Sequence, residues 1–275
     1  MINIVLHEGD QRRFDALVSD LPQAILLTGP RGFGLNTVAF AISEAMNTIP
    51  IVLDPEKDEV IDVEIGSISI EMIRRLYDLT KTTELKHRVI IINYAEKMGI
   101  PAQNAFLKLL EEPNANTHFI LVANEPAKLL ATIHSRTQTF ELRAITNKQS
   151  EKILDQNNVT DEQKRAQLLF MASGLPGELE QLIIDDDYFQ SRSDIVRSAR
   201  QYLQGNAYDR MKIAQQYKDE RNTALLLLSD VLKLLQRNIE SGKTELIPKI
   251  SEVLKVYDRI EANGNIRLQL ASVMV

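Results

Sequence analysis

Cysteine is absent from this 275-residue chain, which excludes disulfides and every metal site built on thiolates. Histidine is scarce. His7, His87, His118 and His134 stand far apart in the sequence, a spacing that argues against a zinc site. There is no excess of positive charge, since 32 Lys and Arg face 38 Asp and Glu for a net charge of -6. A protein that grips DNA alone by neutralising phosphates is usually basic. Any contact with nucleic acid is therefore expected to be local or shared with partners. No apolar run approaches the roughly 18 residues of a membrane helix. The start, MINIVLHEGDQRRF, carries acids and no apolar core, unlike a signal peptide. A cytoplasmic location is the expectation. Internal repeats and low-complexity tracts are also missing.

What remains is the composition of a globular protein, 44% hydrophobic and 25% charged, long enough for two or three domains. Short apolar runs alternate with helical patterns in the first half. Ala24–Thr28, Pro50–Leu53, Arg88–Asn93 and His118–Val122 read as strands, and Ile61–Ile65 and Gln138–Leu142 alternate. Continuous apolar strands separated by helices predict an α/β fold with a parallel sheet covered on both faces. Helical periodicity follows Gly34, spans Ile70–Leu79, and runs from Pro101 through Ala105, Phe106, Leu109 and Leu110 to a stop at Pro113. From about Thr146 strand signals end. Helices are expected near 147–157, 161–172, 176–184, 189–204, 207–218, 221–241, 244–261 and 264–274, with a domain boundary at Gly205-Asn206.

Residues 29–37 read Gly29-Pro30-Arg31-Gly32-Phe33-Gly34-Leu35-Asn36-Thr37. They follow a strand and open a helix, the context of the phosphate-binding template G-x-x-x-x-G-K-[ST]. Two positions fail. Leu35 fills the lysine slot that neutralises the β- and γ-phosphates, and Asn36 fills the hydroxyl slot that holds Mg²⁺. Thr37 comes one position late, and no Lys or Arg occurs between Arg31 and Lys57. The acidic motif that should end the strand at 88–92 is missing too. Asn93 and Tyr94 stand where an ATPase needs a metal-binding Asp and a water-activating Glu, and Glu96 lies past the strand tip, where it reads as a structural surface residue. The expectation is a degenerate loop with no ATP, no Mg²⁺ and no hydrolysis.

Four segments in order then carry a resemblance. Asn104-Ala105-Phe106-Leu107-Lys108-Leu109-Leu110-Glu111-Glu112-Pro113 is similar to a signature N-A-L-L-K-x-L-E-E-P. Phe119–Asn124 places Asn124 at what resembles a sensor position. Leu129-Leu130-Ala131-Thr132-Ile133-His134-Ser135-Arg136-Thr137 is similar to L-L-P-T-I-x-S-R-C, and Glu261–Leu270 to an A-N-x-N-x-x-L-x-L ending. The chain resembles the delta-prime family of bacterial DNA polymerase III clamp-loader subunits, in the AAA+ superfamily, from about residue 10 to the end. The resemblance implies an AAA+ α/β domain over 1–145, a helical lid domain over 146–205 and a helical collar over 206–275 that mediates oligomerisation. It also implies DNA replication as the setting. The implied partners are ATPase subunits and a delta-type subunit in a hetero-oligomer, with the sliding clamp and primer-template DNA reached through the complex.

The chain departs from the family at three places. Thr137 replaces the cysteine of S-R-C, the cysteine zinc module is absent from residues 47–60, and Glu178 lies near a position where active relatives carry an arginine. By the resemblance, Arg136 is a trans arginine finger, supported by Ser135, that stabilises charge on a neighbour's nucleotide, an effect worth about 10³–10⁵ in rate. The chain is then not an enzyme by itself but a component of the polymerase III assembly. The alternative is an active or regulatory AAA+ ATPase with an atypical loop. Glu111 and Glu112 point about 100° apart on a helix and read as structural, and His134 as a loop histidine. Arg12, Arg13 and Arg31 read as a solvated face. Leu225–Leu228, Val231, Leu232, Leu234 and Leu235 make a band too wide for one stripe, so that helix needs cover on more than one side.

Overall fold

The computed structural model describes residues 4–80, 87–112 and 116–272. Pro113, the expected helix stop, lies outside the described residues. Contacts group the chain into two units, Met1–Arg165 with Ala172–Glu180, and Ala166–Met171 with Gln181–Val275. Division at about 145 and 205 is finer than this grouping and stays an expectation. Gly205-Asn206 falls inside the second unit.

The first unit runs α1 (Glu8–Ser19), β1 (Ala24–Thr28), α2 (Leu35–Ala45), β2 (Ile51–Leu53), β3 (Glu56–Lys57), β4 (Val60–Ile61), α3 (Ile70–Thr80), β5 (Arg88–Ile92), α4 (Ile100–Glu111), β6 (Thr117–Ala123), α5 (Ala131–His134), β7 (Gln138–Glu141) and α6 (Asn147–Gln156). Helices α7 (Glu162–Ala172) and α8 (Pro176–Ile184) follow, each shared between the units. Five parallel strands form one sheet in the order β2-β5-β6-β1-β7. Side chains alternate across a strand, and here both faces are apolar. Leu26, Ile90, Ile92, Phe119 and Leu121 pack with α3 and α4 on one side, while Ile25, Leu27, Val89, Ile91, Ile120 and Val122 pack with α1 and α2 on the other. That is why β1 and β5 are apolar apart from Thr28 and Arg88 at their ends, and buried at every position. Pro101 sits in the first turn of α4, where its missing N–H costs nothing. Thr146 and Gln149 form a reciprocal capping box that starts α6.

One expected strand is overturned. Only Val60–Ile61 extends, paired with Glu56–Lys57. Beyond it the chain turns, because an Asp62 carboxylate oxygen accepts the Glu64 and Ile65 N–H groups, both at 2.9 Å, and the Lys97 ammonium gathers the Val63 and Glu64 carbonyls, both at 2.7 Å. The alternation at 61–65 therefore leaves Ile61, Val63 and Ile65 exposed.

Helix α1 was not anticipated, since its sequence is mostly polar. It is held by an ion pair instead. The fully buried Asp10 carboxylate accepts from Nη2 of Arg143 at 2.7 Å and Nε at 3.1 Å, and from Arg13 at 3.1 Å. Burial alone pushes the Asp10 carboxyl up, but the hydrogen bonds and charge of Arg143, with Arg13, outweigh it and hold the group below its ordinary value.

The second unit is helical: α9 (Asp186–Gln204), α10 (Ala207–Gln216), α11 (Arg221–Glu240), α12 (Ile247–Glu261) and α13 (Ile266–Ser272). Asp185 caps α9, and Asn206 caps α10 through a second capping box. Leu227, Leu228, Val231 and Leu235 of α11 are buried in this unit's core, and Leu225, Leu226, Leu232 and Leu234 pack against it partly covered. The wide apolar band is thus met largely by α9 and α12. A buried ion pair, Arg192 with Asp230 at 3.0 Å, crosses from α9 to α11. The Tyr202 hydroxyl donates to the Leu270 carbonyl and ties α13 to the bundle.

Replacing Asp10 with Asn should cost about 1–3 kcal/mol near pH 7, read as a lower urea midpoint. The depressed carboxyl contributes stability above its unfolded value of about 3.9 and loses it as pH falls through the folded value. The gap between wild type and Asp10→Asn should therefore close only below about pH 4. Equal midpoints at pH 7 would refute the role given to the pair.

Candidate functional site

Ligands of open α/β sheets bind at the carboxyl ends of the strands, so those ends define the place to look. The loop after β1 is Gly29–Gly34, and Gly34, at φ 88°, caps α2 in the left-handed region that glycine tolerates. In a phosphate cradle the loop N–H groups converge on the anion. Here the Phe33 N–H donates to the Pro30 carbonyl at 3.2 Å. Leu35 does not face outward. It is buried in the core and packs over Gly29, where a Cβ would meet the Leu35 Cδ2 at 3.1 Å. Asn36 is half-buried and Thr37 exposed at the start of α2.

The start of α8 lies against this loop. The Glu178 N–H donates to the Gly32 carbonyl at 2.7 Å, and the Gly177 N–H donates to the Phe33 carbonyl at 3.2 Å. Approach is so close that a Cβ on Gly177 would stand 2.9 Å from the Gly34 nitrogen and 3.0 Å from the Gly32 oxygen. Glu178 places its side chain over Gly32, a carboxylate where a bound phosphate needs positive charge. Beside it, Ile4, Val5, Gly34, Thr37, Pro176, Gly177 and Glu180 line a cleft with an empty volume of about 280 Å³, part of it open solvent.

At the end of β5, Asn93 is buried and its amide donates to Asp54 at 2.8 Å. An Asp at 93 would set two carboxylates together and call for a cation. The neutral amide replaces that cation with a hydrogen bond. Tyr94 sits at φ 50° and opens a short 3-10 turn. Glu96 corrects its sequence reading. It is part-buried rather than a surface residue, accepting the Asn124 N–H at 3.2 Å, while Asn124 donates its amide to the Gly29 carbonyl at 3.1 Å. The ends of β1, β5 and β6 are thus laced together through Gly29, Asn124 and Glu96. Among the described residues, no group of three or more His, Asp or Glu side chains is disposed to hold a metal ion.

Arg136 follows α5 on the exposed side of the first unit. Its guanidinium pairs with Glu111 at 2.9 Å and reaches the Thr132 carbonyl and the Ser135 hydroxyl, both at 3.3 Å. Ser135 is the C-terminal cap of α5, and its hydroxyl donates to Thr132. His134 bonds the Pro126 carbonyl at 2.9 Å. Arg31 pairs with Glu125 at 3.0 Å, and Lys128 with the same carboxylate at 2.6 Å. Hydrogen bonding from Lys128 leads in holding Glu125 below its ordinary value against partial burial, with Arg31 adding to it. Arg13 lies over the Phe140 ring at 4.8 Å.

A family model described as DNA polymerase III, delta subunit, matches residues 51–146. The tau subunit of DNA polymerase III from Bacillus subtilis is 28% identical over 80% of this chain and 42% of its own length. The delta' subunit from the same organism is 29% identical over 69% of this chain and 66% of its own. A solved DNA polymerase III gamma subunit-related protein from Thermotoga maritima aligns over 95% of this chain and 96% of that one, at TM-score 0.56 and 18% identity.

The chain is similar to subunits of DNA polymerase III. Its fold is the AAA+ type, a parallel α/β domain followed by helices. It spans less than two thirds of the curated relatives' own length. Within the chain the expected residues fall into two places. Gly29, Gly32, Gly34, Leu35, Asn93 and Tyr94 gather at the strand ends, whereas Ser135 and Arg136 stand after α5 with Glu111. Sequence reasoning missed the Glu111 pairing, the Asp54 partner of Asn93 and the closure by Gly177 and Glu178. Only Glu178 carried a signal, its charge at an arginine's place.

Adding one methyl group at Gly177 probes the closure. Gly177→Ala should destabilise by about 1–3 kcal/mol through overpacking against backbone, read as a lower thermal midpoint. An unchanged midpoint would show that the contact is loose.

Proposed function

We propose that this chain is a non-catalytic subunit of the sliding-clamp loader, one that hydrolyses no ATP itself and lends Arg136 to the nucleotide of a neighbouring ATPase subunit. The observation that carries the first half is the Glu178 carboxylate set beside Gly32 while Leu35, in the lysine slot, is buried. The loop has no cation in the lysine slot, no hydroxyl in the metal slot and an acid overhead. Three independent groups of the ATPase chemistry are replaced: Leu35 for lysine, Asn93 for the metal-binding acid, and Glu178 for the arginine of active relatives.

The second half rests on Arg136 keeping 37% side-chain exposure at the end of a short helix. A fixed guanidinium can neutralise charge that develops in phosphoryl transfer without any chemistry of its own. The partners are the ATPase subunits and a delta-type subunit of a cytoplasmic hetero-oligomer, with the clamp and primer-template DNA engaged through the complex. The net charge of -6 suits a subunit that does not hold DNA alone. No helix of the described residues is long and apolar enough to cross a membrane.

In a complex reconstituted with the ATPase subunits, Arg136→Ala should lower the ATPase rate by about tenfold or more. Equal rates with wild type and variant would remove the proposal.

A further inference from the structure

Helix α4 fastens the segment that carries Arg136 at both of its ends. Near its start, the buried Gln103 accepts the Leu130 N–H at 2.7 Å and donates to the Lys128 carbonyl at 3.2 Å. Ile133, fully buried, anchors α5 in the same core as Phe106 of α4. At the far end of α4, Glu111 meets the Arg136 guanidinium at 2.9 Å. The contacts of that guanidinium to Thr132 and Ser135 are both 3.3 Å, beyond the usual N–H···O range. The Glu111 pair is therefore the short, charge-assisted one that selects a single rotamer for a long side chain. Exposed pairs add little to stability, so the pair has small consequence for folding and a larger one for where the guanidinium points.

We propose that Glu111 is a positioning residue, holding the Arg136 guanidinium in the orientation from which it reaches the neighbouring subunit's phosphate. This rests on the finger reading of Arg136. Glu111 touches no substrate and acts only through Arg136. An arginine held in place before its target arrives loses less freedom in the transition state, and small misplacements of such groups are costly.

The test uses the complex reconstituted with its ATPase subunits and compares wild type, Glu111→Gln, Arg136→Ala and the double variant. Glu111→Gln keeps the shape of the side chain and removes its charge. It should lower kcat for ATP about fivefold or more, within the range of coupling between contacting residues, while KM changes less than about twofold and the thermal midpoint of the free chain stays put. In the Arg136→Ala background the same change should have no effect. If Arg136→Ala lowers kcat while Glu111→Gln leaves it at or above wild type, or if Glu111→Gln lowers it equally in both backgrounds, Glu111 does not position the finger. If Arg136→Ala is silent, the finger reading fails and this inference falls with it.

Discussion

Two backbone hydrogen bonds, from the first turn of α8 to the Gly32 and Phe33 carbonyls, decide what the strand ends can do. A phosphate-binding loop works because its N–H groups and a lysine are free to meet an anion. Here α8 bonds the loop's carbonyls, and the charge it brings to the loop is the Glu178 carboxylate. Gly177 must be glycine to come within reach of Gly34 and Gly32, Leu35 turns into the core, and the Glu178 carboxylate lies where it would repel a phosphate. The absent lysine and the close approach of α8 are one arrangement seen from two sides.

The rest of the site follows the same exchange of ligand contacts for internal ones. Asn93 bonds Asp54 where a cation would otherwise be needed between two acids. Asn124 bonds the Gly29 carbonyl, and Glu96 bonds Asn124. Arg31 is paired with Glu125, away from the loop. Arg136 stands after α5, braced by Glu111 of α4.

Much of this was legible in the sequence, and the parts that were not share a cause. β1 and β5 read clearly because strands buried on both faces must be apolar throughout. The helices read clearly where periodicity was strong, as after Thr146 and Asn206, whereas α9 begins at Asp186, ahead of the expected 189. Leu35 and Asn93 were legible as losses, because the chemistry they replace tolerates few residue types. Helix α1 was hidden because its anchor is an ion pair 133 residues long, Asp10 to Arg143. Ile61–Ile65 misled because Asp62 and Lys97 turn a strand-like alternation into a loop. The pairings of Glu111 with Arg136 and Glu178 with Gly32 join residues far apart in the chain, and no local pattern announces a long-range partner.

Titration of the isolated chain with Mg-ATP, followed calorimetrically, tests the central claim most directly. With Leu35 in the lysine slot and the Glu178 carboxylate beside Gly32, no saturable heat should appear at micromolar nucleotide. Saturable, Mg-dependent binding in that range would contradict the account.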